Sequence, residues 1–290
     1  MMADFQLLIA DPSYSSWSLR GWLAFAAFDI PVKVKVTRLY DDSFAKDLQA
    51  FHPAKTVPVA RASNGALFTD SLTIIEELAQ IYPDKGLLPK DPILRARARS
   101  MMAEMHSSFT TLRSDCPMNT RTAYQAMPIS DKLQADLDRL CVIWDCLDTE
   151  RGDFLCGDYS AVDAFFAPVA ARIAGYNLPV SDKALAYVNA HLNHLPFRQF
   201  RAWGLSFDAQ DAYIRPYETA DWPGPKPRSA RPTYDMNAVN DLCPYSGKPT
   251  EYYLEYDAKI YGFCNERCRD KTLYDPEAWP DFMALVDASS

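Results

Sequence analysis

Two groups of residues in this 290-residue chain have types and spacing that could do chemistry. The first is Pro12-Ser13-Tyr14-Ser15-Ser16-Trp17-Ser18-Leu19-Arg20, set between an apolar run, Phe5 to Ala10, and a helix-like stretch, Gly21 to Phe28. Hydroxyls thus crowd a strand-to-helix turn. A helix start presents unpaired N–H groups and a partial positive charge. Such a place can hold an anion, and a Ser there can hydrogen-bond a thiolate. The plainer role for Ser15 or Ser16 is to cap the helix. The second group is Cys243-Pro244-Tyr245-Ser246-Gly247-Lys248 followed by Cys264-Asn265-Glu266-Arg267-Cys268. Cys264 and Cys268 are spaced so that both sulfurs can lie on one side of a starting helix. Thiolates select soft or borderline ions such as Zn²⁺ or Cu(I). The plainer role for these residues is as reduced core cysteines.

Composition narrows the setting. The net charge of −8 supplies no basic field to attract nucleic acid or an anionic membrane. No apolar run approaches the roughly 20 residues needed to span a bilayer. Met1-Met2-Ala3-Asp4-Phe5 lacks the basic region and apolar core of a secretory leader, so a cytoplasmic location is expected. Seven cysteines is an odd number, and Cys116, Cys141, Cys146 and Cys156 are scattered through helical or near-helical sequence. Reduced thiols follow, not a disulfide framework.

The elements that must position these groups can be read in order. Phe5 to Ala10 is a strand. Val32 to Leu39 alternates Val with Lys and Thr as a half-buried strand does. Asp41-Asp42-Ser43 starts a helix running to Phe51. In His52-Pro53-Ala54-Lys55-Thr56-Val57-Pro58, a Pro opens a strand, where it cannot donate to the sheet. A cis Val57–Pro58 bond would turn the Val57 backbone outward. Val59 to Arg61 and Ala66 to Phe68 form a hairpin about Ser63-Asn64-Gly65, and Asp70-Ser71 begins a helix to Ile81. After a Pro- and Gly-containing linker, a long helix is expected from Pro92 to about Arg113, with Glu104, His106 and Arg113 able to share a face. A second is expected over Asp131 to Asp148, with Leu133, Leu137, Leu140, Trp144 and Leu147 on one side. Ala161–Ala174, Asp182–Ala190 and Pro196–Trp203 complete a helical bundle. Residues 207–239 are Pro-rich and read as an extended linker. Beyond them, Glu251–Asp257 and Lys259–Phe263 form a Tyr-rich hairpin in a unit small enough to need a staple.

With this order on the page, the first 206 residues resemble a cytosolic glutathione S-transferase. Tyr14 to Arg20 resembles the Ser-type active-site turn of the zeta-like and bacterial classes. Lys55-Thr56-Val57-Pro58 is similar to the family's segment with a cis-proline, and Asp70-Ser71 to its glutamyl-binding pair. Ser160-Ala161-Val162-Asp163 resembles the capping box opening a buried helix, with Phe154-Leu155-Cys156-Gly157 just ahead. The fold class so implied is α+β: a thioredoxin-like domain over 1–82 and an all-helical domain over 92–206. The resemblance implies that Ser15 donates a hydrogen bond to the glutathione sulfur, with Tyr14, Ser16 and Ser18 as rival hydroxyls. Ser16, Trp17 and Thr56 join the binding residues. The Val57 backbone aligns the cysteinyl part, Asp70 the glutamyl amine, and Ser71 the glutamyl carboxylate. No Cys occupies Pro12 to Arg20, which disfavours disulfide chemistry at the turn. A small electrophile as second substrate and a homodimer are expected from the same likeness. A cis–trans isomerase using glutathione, of the maleylacetoacetate kind, and a non-catalytic glutathione- and metal-binding protein are the alternatives.

Residues 240–290 resemble the TRASH/YHS metal-binding modules, related to treble clefs, through Cys243-Pro244-Tyr245-Ser246-Gly247-Lys248, Tyr261-Gly262-Phe263-Cys264 and Tyr274-Asp275-Pro276-Glu277. Cys243, Cys264 and Cys268 are the implied ligands of zinc or another soft ion. Four-Cys relatives carry their second Cys where this chain has Ser246, which leaves the fourth ligand open among water, Asp241, Glu266 and a partner.

Overall fold

The computed structural model describes residues 5–145 and 150–289. Cys146, Leu147 and Asp148, placed above near the end of a helix, lie outside them. Packing divides the chain into two units: residues 5–192 with 211–223, and residues 193–210 with 224–289.

The first unit begins with a four-stranded sheet in the order β2-β1-β3-β4. Strand β1 (Phe5–Ala10) runs parallel to β2 (Val32–Thr37) and antiparallel to β3 (Val59–Ala62), which pairs with β4 (Leu67–Phe68). Phe5, Leu7, Leu8 and Ile9 are wholly buried, as a central strand covered on both faces requires. Helix α1 (Ser16–Ala26) follows β1, α2 (Asp42–Gln49) follows β2, and α3 (Ser71–Ile81) follows β4. This β-α-β-α-β-β-α order is the thioredoxin-like arrangement. Both Val57–Pro58 and His52–Pro53 are cis.

The helical part consists of α4 (Pro92–Ser107), α5 (Thr110–Asp115), α6 (Asp131–Trp144), α7 (Ala161–Tyr176) and α8 (Asp182–Asn193). The expected single helix from Pro92 to Arg113 is two. Phe109 is buried with φ 60°, a left-handed conformation that ends the helical path. The Leu112 N–H then bonds the Asp136 carboxylate of α6 at 2.9 Å, tying the new helix down. The break also scatters the shared face: Glu104 forks onto Arg139 (2.6 and 2.8 Å) at the surface, while Arg113 turns back to the carbonyls of Met105 and His106. At the start of α7, Ser160 and Asp163 form the full capping box. The buried Asp163 carboxylate accepts from the Leu155 and Ser160 N–H groups, the Ser160 hydroxyl and the Tyr187 hydroxyl at 2.8–3.1 Å.

The Pro-rich stretch 207–239 is not only a connection. Within the first unit, β6 (Thr219–Ala220) pairs with β5 (Ala123–Tyr124). Tyr213 stacks on Tyr14 at 4.3 Å between ring centroids. In the second unit, β7 (Ala230–Thr233) adds a strand to the hairpin β8 (Tyr252–Tyr256) and β9 (Lys259–Phe263).

Helix α9 (Leu195–Leu205), read in sequence as the last helix of the bundle, groups with the cysteine-bearing unit. There it meets α10 (Glu266–Tyr274) and the turn Pro276–Ala278 that leads into α11 (Pro280–Ala288). Arg198 of α9 forks onto the Asp275 carboxylate at 2.7 and 2.9 Å, and Gln199 donates to the Ala278 carbonyl. The core of this unit is aromatic, with Phe282 against Tyr256, Tyr261 and Phe263 at 5.1–5.9 Å. No helix among the described residues is long and apolar enough to cross a membrane.

Candidate functional site

A cavity of about 380 Å³ opens where the β1–α1 turn, the segment before β3 and the start of α3 converge. Ser15, Trp17, Thr56, Val57 and Asp70, expected together from the sequence, line it, whereas Ser16 and Ser71, expected with them, do not. Lys55 and Pro58 line it from the same segment as Thr56 and Val57. Leu39, Phe44 and Thr69 also contribute and were missed. Leu39 and Phe44 read as ordinary strand-end and helix apolars, and only the fold carries them to the rim.

Ser15 is the N-cap of α1. Its Oγ accepts the Ser18 N–H at 3.3 Å and lies 2.8 Å from the Ser18 hydroxyl. Ser18 Oγ in turn accepts the Ala10 N–H at 2.9 Å, so the turn is tied to the end of β1. Capping and exposure to the cavity therefore fall on the same hydroxyl. Ser16 is buried behind the wall, its Oγ 3.4 Å from Arg172 Nη2. Ser71 is wholly buried at the first position of α3, and its Oγ finds no partner among the described residues.

Asp70 caps α3 through the Leu72 N–H at 2.7 Å. Its other oxygen faces His106 Nε2 at 3.6 Å. His106 is part-exposed, and its buried Nδ1 has no partner among the described residues.

Pro58 reaches the cavity because residue 21 is glycine. A Cβ there would sit 2.6 and 2.8 Å from the Pro58 ring carbons. Only a residue without a side chain lets the helix approach that close.

Behind Trp17 lies a group of arginines that sequence reasoning did not assemble. The Arg20 guanidinium sits 4.8 Å from the centroids of both Trp17 and Phe165, and that of Arg113 sits 4.9 Å from Trp17. Arg172 donates to the carbonyls of Cys116 and Pro168. Burial, with repulsion from Arg113 and Arg172, lowers the Arg20 pKa to about 9. Arg20 Nε and Nη1 have no partner among the described residues. Arg20, Arg113 and Arg172 are far apart in sequence, so no local signal joins them.

In the second unit, the sulfurs of Cys243, Cys264 and Cys268 lie within 4.8 Å of one another. Cys243 sits on a tight turn in which the Ser246 and Gly247 N–H groups bond its carbonyl, at 3.3 and 2.9 Å, with Gly247 at φ 65°. Cys264 ends β9. Cys268 lies in the first turn of α10, capped by Asn265 at 2.9 Å. Burial works to raise the Cys243 pKa, but N–H groups of Cys264 and Tyr245 outweigh it and bring the thiol below its ordinary value. Burial and the neighbouring sulfurs push Cys268 up. Three sulfurs this close, served by backbone donors, fit a soft cation. Asp241 and Glu266, considered above as fourth ligands, do not join the sulfurs in that cluster.

Residues 14–81 match the family model of the glutathione S-transferase N-terminal domain. A probable maleylacetoacetate isomerase of Caenorhabditis elegans is 35% identical over 102 residues, 35% of this chain and 46% of that protein. The maleylacetoacetate isomerase of Rattus norvegicus is 27% identical over 198 residues, 64% of this chain and 90% of that one. The chain thus matches about half the length of the nematode relative and most of the rat one. Among solved structures, a glutathione transferase homolog from Burkholderia gl BGR1 with bound glutathione superposes with a TM-score of 0.54 at 20% identity, covering 71% of this chain and 100% of that one. Glutathione transferase Omega 2S from Trametes versicolor, in complex with 2,4-dihydroxybenzophenone, gives 0.53 at 17%, covering 69% and 94%. The fold is the glutathione transferase fold, a thioredoxin-like domain followed by a helical one.

Proposed function

We propose that this chain is a glutathione transferase that binds glutathione in the 380 Å³ cavity and activates its thiol at Ser15. The observation that carries the reading is convergence. Ser15, Val57 and Asp70 are separate in sequence and line one wall-to-wall space. Glutathione needs its thiol, peptide and glutamyl groups met within one cleft.

A free thiol has a pKa of about 8.5, so little is ionised at neutral pH. The Ser15 hydroxyl turns its proton from Ser18 to the sulfur, and the Ser18 hydroxyl donates to Ser15 Oγ in its place. Ser15 then accepts from both Ser18 N–H and Ser18 O–H while donating to the thiolate, a chain whose members polarise one another. The N-terminus of α1 adds its partial positive charge. The Val57 backbone aligns the cysteinyl peptide, with Thr56, Trp17 and Ser16 supporting the walls. Asp70 takes the glutamyl amine, steadied by His106, and the N-terminus of α3, with Ser71 packed beneath it, takes the glutamyl carboxylate. The thiolate attacks a small electrophile and forms the carbon–sulfur bond, either displacing a leaving group that departs with its electron pair or opening an activated double bond whose other carbon then takes a proton from water. If the adduct instead rotates and expels the thiolate, the outcome is isomerisation. The relatives named maleylacetoacetate isomerase favour that as the second reading.

Cys243, Cys264 and Cys268 would hold zinc or another soft ion in a treble-clef-like module, where the ion supplies a structural cross-link. A cytoplasmic homodimer completes the reading. The test is retention on immobilised glutathione, then Ser15→Ala. Transfer falls at least about 100-fold while glutathione still binds within a few-fold. Unchanged turnover in Ser15→Ala, or no glutathione bound by the intact protein, overturns the assignment. Product analysis with a maleyl-type substrate separates conjugation from isomerisation.

A further inference from the structure

The turn that carries Ser15 is held from outside as well as from within. Inside it, the Tyr14 and Ser15 N–H groups both bond the Asp11 carbonyl, at 2.8 and 3.0 Å. These bonds curl the turn but leave its outer face, Ser13 and Tyr14, to be covered by other parts of the chain. The Thr120 N–H donates to the Ser13 carbonyl at 3.0 Å. Tyr213 covers Tyr14, with ring centroids 4.3 Å apart and the planes 22° from parallel. Stacked rings at that separation attract beyond the area they bury. Under this cover Tyr14 is 6% exposed, and it does not line the cavity. The residue directly before Ser15 is therefore gripped by a segment from nearly 200 positions along the chain.

Tyr213 has a fixed base of its own. Asn119 Nδ2 donates to the Tyr213 carbonyl at 3.4 Å, next to the Thr120 that bonds Ser13. Further on, the Arg215 N–H donates to the buried Tyr124 hydroxyl at 3.0 Å, and the Gln125 N–H to the Glu218 carbonyl at 2.9 Å. The pairing of β5 with β6 completes the seam. Residues 211–220 are thus fastened along 119–125 by contacts that do not use the Tyr213 ring. Removing the ring leaves the strap in place and frees only the turn beneath it. The Tyr213 hydroxyl hydrogen-bonds Tyr40 and takes no part in the stack.

We propose that residues 211–220 form a positioning strap for the thiol-activating turn, with Tyr213 acting through Tyr14 to hold the Ser15 hydroxyl toward the glutathione sulfur. This rests on the transferase reading above and adds a positioning residue to it. A hydrogen bond weakens steeply once its angle and length drift, so a donor displaced by part of an ångström stabilises a thiolate much less. Tyr213 touches neither substrate, and its effect lies wholly in where Ser15 stands.

The test is to titrate the thiol of glutathione bound to the full-length protein, by its ultraviolet thiolate absorbance, in wild type and in Tyr213→Ala, Tyr213→Leu and Tyr213→Phe. In Tyr213→Ala the ionisation constant of the bound thiol is expected to fall about tenfold, because its donor is no longer held in line. Glutathione affinity stays within about threefold, since Val57 and Asp70 keep their places. Tyr213→Leu fills the space without stacking and shifts the ionisation in the same direction, which serves if the alanine variant fails to fold by circular dichroism. Tyr213→Phe keeps the stack and titrates as wild type. A folded Tyr213→Ala or Tyr213→Leu with a lower melting point but wild-type thiol ionisation overturns the proposal, because the ring is then merely structural. Tyr213→Phe behaving as Tyr213→Ala also overturns it, since the hydroxyl and not the stack would matter. If wild type binds no glutathione, or Ser15→Ala leaves the bound thiol unchanged, the transferase reading itself fails.

Discussion

Replacing Gly21 by Ala tests whether the cavity wall depends on the close approach of α1 to Pro58. In a helix interior the change is normally favourable, by about 1 kcal/mol, because glycine loses more freedom on folding. At Gly21 the new Cβ would stand 2.6 Å from Pro58 Cβ and 2.8 Å from Pro58 Cγ. The proline ring cannot swing aside, so helix and strand must separate. Overpacking of this kind costs about 1–3 kcal/mol. Where the strain is at the middle or upper part of that range it exceeds the propensity gain, and Gly21→Ala is expected to be about 1–2 kcal/mol less stable. Gly175 in α7 provides the control. A Cβ there meets its first neighbours at 3.6 Å, ordinary contact, so Gly175→Ala should gain about 0.5–1 kcal/mol. The same chemical change thus has opposite signs in one folding unit. Thermal and urea unfolding give the two stabilities, and glutathione titration follows the wall, with affinity expected to drop at least fivefold in Gly21→Ala alone. If Gly21→Ala melts at or above wild type with unchanged glutathione affinity, the close-approach argument is wrong.

Three further outcomes are expected. Asp163→Ala removes the acceptor of four hydrogen bonds at the start of α7 and should cost about 4 kcal/mol in urea unfolding, because buried donors lose their partner; a loss under 1 kcal/mol would contradict this. Burial lowers the His194 pKa from 6.5 to about 4, so the folded state binds this proton less readily than the unfolded chain. Its contribution is present above pH 6.5 and lost as pH falls toward 4, by about 2–3 kcal/mol, and His194→Gln should flatten the pH–stability curve in that window. Arg20, wholly buried with two unpartnered nitrogens, should be replaceable by Met with no loss of stability, and a melting point well below wild type would show that the cation is compensated.

The parts of the chain that were legible in sequence are those whose signals are local. The β1–α1 turn, Val57–Pro58 and Asp70-Ser71 each announce themselves within a few residues, and the cavity brings them together. The capping box at Ser160 and Asp163 is equally local. What was not legible depends on distant partners. Phe109 adopts a left-handed conformation although nothing in Ser107-Ser108-Phe109 requires it; the Asp136 carboxylate waits 24 residues on for the Leu112 N–H. Thr219–Ala220 makes a strand only because Ala123–Tyr124 offers an edge. Arg20, Arg113 and Arg172 look like three unrelated surface cations until α1, α5 and α7 carry them behind Trp17. Charge alone gives no hint of burial, since such residues are seldom buried without a partner.

The assignment of α9 to the cysteine-bearing unit has a consequence for how the protein can be divided. The chain leaves the first unit after Leu192, returns to it at Asp211 and leaves again after Pro223. The second unit is therefore written in two separated passages. A scission in the Pro-rich stretch would leave Arg198 and Gln199 on one fragment and their partners Asp275 and Ala278 on the other. The cysteine module is consequently not a detachable cassette: a gene fusion that moved residues 240–290 alone would transplant its cysteines without one of the helices that close its core.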